Sequence, residues 1–149
     1  MSGRRRDEAR RWFQQAWYDL KAAQWNVEGG FHSTACFLAQ QAAEKALKAL
    51  HYYLGSGRPS LFTHSLVEMI RDGSKQVSEL ASLQELGRQL DLHYVPSRYP
   101  NGLPGGYPHL FYGPEMSKVA VQAASGIVTF VKEFFVRESA GEIVREEGD

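Results

Sequence analysis

Between Cys36 and Gly55 the chain reads CFLAQQAAEKALKALHYYLG. With the preceding residue, its small and apolar positions fall at Ala35, Ala39, Ala42, Ala46, Ala49 and Tyr53. That three-four alternation lays one alanine-lined stripe along an α-helix, a seam narrow enough for close backbone approach. Gln40, Gln41, Glu44, Lys45 and Lys48 are expected on the other faces, and Gly55 stands where a helix is ended by a left-handed residue.

The same period marks two more long helices. From about Asp7 to Val27, apolar residues recur at Ala9, Trp12, Phe13, Ala16, Leu20, Ala23 and Val27, with Trp17 and Trp25 widening the face. Gly29-Gly30 ends this first helix, and Ser33 or Thr34 is expected to cap the next. Near the other end, Pro114 suits a first helical position, and Met116, Val119, Ala120, Ala123, Ile127, Phe130, Val131 and Phe134 give an apolar face running to about Arg137. Between these lie weaker signals. SGRPS reads as a loop, Thr63 as the cap of a short helix facing inward through Leu66, Met69 and Ile70, and Val77 to His93 as a fourth helix of middle length. Residues 95–113 then bring four of the six prolines, four glycines and Tyr99, Tyr107, Phe111 and Tyr112, which predicts a long loop without regular helix.

No strand alternation, internal repeat or Gly-rich phosphate loop is present in the sequence. The pattern predicts an all-α, up-and-down, four-helix-type bundle with an extra short helix and a long Pro/Gly/aromatic loop before the last helix.

Composition adds bounds. The 149 residues suit one domain, 43% hydrophobic and 23% charged residues are globular values, and no uninterrupted apolar run reaches membrane-spanning length, so a soluble protein without a membrane partner is expected. Lys plus Arg and Asp plus Glu both number 17. A single cysteine, Cys36, excludes an internal disulfide and suggests the cytoplasm, and the arginine-rich start lacks the apolar segment of a secretory signal. The charge is polarised, however. Residues 1–6 read as a basic N-terminal arm, and 138–149, with Glu138, Glu142, Glu146, Glu147 and Asp149, as an acidic disordered tail. The histidines are scattered without metal-ligand spacing, so no metal or cofactor is expected.

EARRW with its Trp-Phe helix, FLAQQAAEKALKAL, and DLHYVPSRYPNGLP together resemble the HEPN domain, over roughly residues 7–137. The resemblance implies a helical bundle, usually a homodimer, often paired with a minimal nucleotidyltransferase. It also implies one of two activities: nucleotide, RNA or protein binding without catalysis, or metal-independent endoribonuclease toxicity through an Arg followed by four to six residues and His. Arg88-Gln-Leu-Asp-Leu-His93 has that spacing, with His93 as the acid or base and Arg88 stabilising phosphate charge. On a continuous helix the two side chains would lie about 140° apart. Val95 also stands where the fuller toxin pattern has Tyr, with Tyr94 one position early. A third reading is a pure interaction module, as in large chaperone-like proteins that end in such a domain.

Two further sets are candidates for nucleotide or phosphate binding. Arg98, held between Pro96 and Pro100, either clamps a phosphate or anchors the loop to a carboxylate such as Glu44 or Asp91, while Tyr94 and Tyr99 either stack on bases or seal apolar surface. Lys45 and Lys48, three apart on one helix, form either a solvated face or a contact for an anion.

Overall fold

The computed structural model describes residues 3–146. Three long helices make the frame: α1 (Gly3–Glu28), α2 (His32–Leu54) and α7 (Pro114–Arg137). The fourth position is filled by shorter pieces: α3 (Arg58–Phe62), α4 (Leu66–Gly73), a 3-10 turn (Ser78–Leu83) and α5 (Gln84–Asp91). A second 3-10 turn (Pro100–Gly102) and α6 (Pro108–Phe111) follow, and a third (Gly141–Ile143) comes after α7. No strand occurs among the described residues.

The core sits around α2, which touches α1 and every numbered helix after it. Ala35, Ala39, Ala42, Ala46 and Ala49 are fully buried, and alanines at 9, 16 and 23 of α1 and at 120, 123 and 124 of α7 are buried in the same core. Small residues on all three helices let the backbones come close without leaving voids. Gly55 closes α2 in the left-handed region (φ 71°), as the sequence predicts.

The periodicity is less exact where short segments bend. The fourth helix is broken, because Val77, Leu80 and Leu83 are spaced by threes and a 3-10 turn brings all three inward where an α-helix would rotate them apart. Gly87 then lets α5 lie against α4: a Cβ there would stand 2.8 Å from Ile70. Arg58–Phe62 and Pro108–Phe111 are short helices where loop was expected, each with a proline in its first turn, where the missing N–H costs nothing. The cap of α4 is Ser65 rather than Thr63, and α2 starts at His32 behind Phe31 with no side-chain cap from Ser33 or Thr34.

Residues 138–146 do not form a disordered tail. Ala140 and Ile143 are fully buried, and five α1 side chains hold the segment along one helix face. Arg6 pairs with Glu142 (2.6 Å), Arg10 donates to the Arg145 carbonyl (2.9 Å), Gln14 to the Ile143 carbonyl (2.9 Å), and Trp17 and Lys21 both reach Glu146. Hydrogen bonds from Arg6 hold the Glu142 carboxylate below its usual range, and those from Lys21 and Trp17 do so for Glu146. Residues 3–6 of the expected basic arm belong to α1; residues 1–2 and 147–149 lie outside the described residues.

Among the described residues, α7 alone is long and apolar enough, by length and composition, to cross a membrane (mean hydropathy 1.5). Here its apolar side, from Ala120 to Phe135, is buried in the core.

If the C-terminal strap is part of the cooperative fold, Ile143→Ala lowers the unfolding free energy by about 2–5 kcal/mol in a urea titration. An unchanged midpoint would mean that the strap is not docked in solution.

Candidate functional site

Residues 37, 40, 44 and 48 follow one another on α2 at three-four spacing, so they form a ridge beside the alanine seam. Its polar members are buried: Glu44 and Lys48 side chains are 4% and 6% exposed, and Gln40 is fully buried. The sequence places these three on faces other than the alanine stripe, and that face is buried here. The Glu44 carboxylate accepts from Lys48 Nζ (3.3 Å), from Gln40 Nε2 (3.4 Å) and from His64 Nδ1 (3.2 Å), which satisfies charges that would be costly to bury alone. His64 comes from the link between α3 and α4 and keeps 56% of its side chain exposed.

The loop after α5 closes over this ridge. Asp91, the last residue of α5, accepts from the backbone N–H groups of Leu66 (2.8 Å) and Val67 (3.1 Å) and from the Ser65 hydroxyl (3.1 Å). It thereby pins the start of α4, and His64 just before it, to the start of the loop. Arg98 N–H bonds to the Val95 carbonyl (3.0 Å), and Ser97 donates its hydroxyl to the His93 carbonyl. The segment is thus a turn, not the extended backbone that Pro96 and Pro100 suggest. Tyr94 stacks on His64 (centroids 4.7 Å, planes 19° apart).

Arg98 lies over the same tyrosine. Its guanidinium carbon is 4.3 Å from the Phe37 ring centre, 4.9 Å from Tyr94 and 4.8 Å from Tyr99, and its Nε donates to the Tyr94 carbonyl (2.9 Å). Both carboxylates considered as its anchor are engaged elsewhere, Asp91 on α4 and Glu44 within its own cluster. Among the described residues Arg98 forms no ion pair. The rings fix the guanidinium plane by cation–π contact, while only one nitrogen is used in a hydrogen bond. This arrangement suits a bidentate anion.

Other expected site residues are placed apart. Lys48 belongs to the Glu44 cluster and lies over the Trp12 ring (5.4 Å), whereas Lys45 pairs with Asp19 and lines a separate groove with Arg11, Trp12 and Tyr52. Arg88 is exposed and paired with Glu85 (3.2 Å). His93 is half-buried with Nδ1 3.2 Å from the Tyr112 hydroxyl. Burial lowers the His93 pKa and pushes Tyr112 up to about 12. No contact joins Arg88 to His93 among the described residues. Sequence reasoning missed His64, Phe37 and Gln40 as members of the site and named Glu44 only as an anchor for Arg98; the further trace of the buried cluster was the run Gln40-Glu44-Lys48 at i, i+4 spacing beside an alanine stripe.

Fold and cluster together define a small all-helical bundle whose central helix and one long loop present a cation framed by aromatic rings. The chain belongs to the HEPN domain family, whose model matches residues 9–134. It is similar to the crystal structure of TT1696 from Thermus thermophilus, with 36% identity, a TM-score of 0.78, and coverage of 85% of this chain and 97% of that one. ST0689, described as an archaeal HEPN homologue, is 31% identical with a TM-score of 0.71 and coverage of 85% and 97%. A HEPN domain protein from Thermotoga maritima is 28% identical with a TM-score of 0.61 and coverage of 85% and 98%. Among curated proteins none matches the chain significantly.

Two histidines, His51 buried and His93 half-buried, make stability pH-dependent. His51 is nearly inaccessible, donates from Nε2 to the Met69 carbonyl (2.8 Å) and accepts at Nδ1 from Ser56; burial lowers its pKa, as it does for His93. The unfolded chain therefore takes up protons first as pH falls, so stability is full above about pH 6.5 and declines below it. Thermal midpoints should drop between pH 7 and 5, and His93→Gln should flatten that slope; an unchanged slope would show that His93 titrates alike in both states.

Proposed function

We propose that this chain is a nucleotide- or RNA-binding HEPN module whose ligand phosphate sits on Arg98, and that it acts as a cytoplasmic homodimer with a minimal nucleotidyltransferase partner in a toxin-antitoxin-like pair. The observation that carries the binding is the guanidinium of Arg98, oriented by Phe37, Tyr94 and Tyr99 and not neutralised by a carboxylate. A fixed arginine loses little entropy on meeting a phosphate and can hold it through two parallel hydrogen bonds. Tyr99, half exposed, supplies a ring on which a base stacks. The partner and the pairing rest on the family resemblance.

The dimer has a physical basis at one end of the bundle. Phe134 and Phe135 are buried, and Trp12, Trp17 and Phe130 pack on the core. Exposed apolar side chains among the described residues include Trp25, Phe31, Leu110, Phe111, Met116 and Val119. His32 bonds to Ser117 (2.8 Å), so the start of α2, beside Phe31, meets the start of α7, beside Met116. Apolar surface at one end of a bundle suits burial against a second copy.

Binding is tested by titrating ATP and an eight-nucleotide single-stranded RNA into the purified chain. Arg98→Ala should weaken saturable binding about tenfold or more, Arg98→Lys less, and Arg88→Ala little; binding indifferent to Arg98→Ala contradicts the site. Light scattering at micromolar concentration should report a dimer that Phe111→Glu dissociates, and a monomeric parent chain contradicts the assembly.

A further inference from the structure

The segment that follows α7 lies on α1 as a bound peptide would. Its donors come from a single row of one helix: Arg6, Arg10, Gln14, Trp17 and Lys21 are spaced by three or four residues. They therefore face one way along roughly 22 Å of α1. Most of their hydrogen bonds end on backbone. Arg6 donates to the Ser139 carbonyl (3.1 Å), Arg10 to the carbonyls of Glu142 and Arg145, and Gln14 to those of Ile143 (2.9 Å) and Arg145 (3.0 Å). Two strap side chains are read by charge, Glu142 by Arg6 and Glu146 by Lys21 and Trp17. Two more are read by shape: Ala140 and Ile143 are fully buried, with Ile143 in a turn that packs on both α1 and α7.

Two observations separate the strap from the bundle it covers. The family model matches residues 9–134, so the strap begins beyond the shared domain. The chain also reaches α1 through Ser139, at φ 56° the one non-glycine in the left-handed region among the described residues. A residue with a β-carbon is disfavoured there, so docking carries a local cost that release removes. The row that holds the strap, by contrast, belongs to a continuous 26-residue helix and keeps its spacing whether or not the strap is in place. Uncovered, it presents Arg6, Arg10 and Lys21 beside Trp17, over whose ring Lys132 of α7 also lies (4.9 Å), together with the apolar seat of Ile143. Such a face complements an acidic peptide that carries a branched apolar residue.

We propose that the α1 face under the strap is a docking site for an extended acidic segment of a partner protein, and that the strap is its intramolecular competitor. The segment has the pattern that residues 142–146 display, Glu-Ile-Val-x-Glu. Five of the bonds end on carbonyls, which every peptide carries, so the face accepts a foreign backbone as it does its own. Selection comes from the two carboxylates and from the apolar residue between them. Tethered through Ser139, the strap competes at an effective concentration on the order of millimolar, so the closed chain admits a partner segment only weakly. The face lies on α1, apart from the Arg98 cluster, and its test neither uses nor disturbs the binding reading above.

The test titrates the full chain into a fluorescein-labelled peptide of residues 138–146 and reads anisotropy. Ile143→Ser in the chain loosens the strap, and this variant should bind the peptide saturably, about tenfold or more tighter than the parent does, because the tethered competitor is weakened. Glu142→Lys combined with Glu146→Lys loosens the strap through two exposed carboxylates without touching the core, and should give the same gain. Adding Arg10→Ala to either opened chain should weaken binding about tenfold, since two charge-assisted bonds to carbonyls are lost. In the peptide, Ile143→Asp should abolish binding, whereas Arg145→Ala should change it less than about threefold, as befits an exposed side chain. Absence of saturable binding to both opened chains, or equal binding to them and to the parent, overturns the proposal. Displacement of the labelled peptide by an eight-nucleotide single-stranded RNA as readily as by unlabelled peptide assigns the face to nucleic acid and overturns it too. So does self-association of the parent that Ile143→Ser abolishes, which assigns the face to the strap of a second copy.

Discussion

The close approach of helices along the alanine stripe of α2 is the constraint on which the remaining structure depends. Alanine buries little area per residue, so the stripe contributes less through its own transfer from water than through what it permits. With no side chain beyond Cβ, α1 and α7 come near enough for large residues beside the seam, such as Phe13, Leu47, Leu50, Ile127 and Phe135, to fill the core completely. A larger residue at Ala42 or Ala46 would force the helices apart and open the space around those side chains.

That same helix carries the candidate chemistry. Because the seam fixes the rotation of α2, Phe37 meets Arg98 of the loop, Gln40 and Glu44 meet His64 and Lys48 lies over Trp12, and three of these four α2 residues are buried polar groups. Their burial is tolerable because each is matched: Lys48 to Glu44, Gln40 to Glu44, and Glu44 to His64. Asp91 performs the equivalent role at the other boundary, by joining the end of α5 to the start of α4. The site is thus held by regular helices on two sides, with the long loop contributing Tyr94, Arg98 and Tyr99 from a segment that hydrogen bonds and ring contacts tie down.

Long periodic segments were legible from residue pattern alone, since 3.6-residue periodicity over twenty residues has few alternative readings. The stripes of α1 and α2, the stripe of α7 from Ala120 onward, the Gly29-Gly30 break and the Gly55 terminator occupy the expected places, whereas Met116 and Val119, expected on the same face of α7, are exposed. Short segments were not, because a turn of helix at Arg58 or Pro108 depends on what it packs against more than on its own sequence. The docked strap was hidden for a related reason: Ile143 alone is a weak apolar signal, and most bonds that hold it run to backbone carbonyls, which carry no sequence signature. Within the site, Arg98 and its tyrosines stood out through the proline-bracketed motif. Glu44 was legible only as a possible anchor for Arg98, not as the centre of a buried cluster, since its partner His64 is distant in sequence from the carboxylate that orients it.

The central claim is that one ligand-binding surface is assembled from α2, the α3–α4 link and the loop that follows α5. Backbone amide chemical shifts during titration with a nucleotide measure this most directly. The account predicts saturable perturbations grouped at Phe37, Glu44, His64, Tyr94, Arg98 and Tyr99. Perturbations centred on Arg88, or on the groove lined by Arg11, Trp12, Lys45 and Tyr52, with the Arg98 group unchanged, would contradict it.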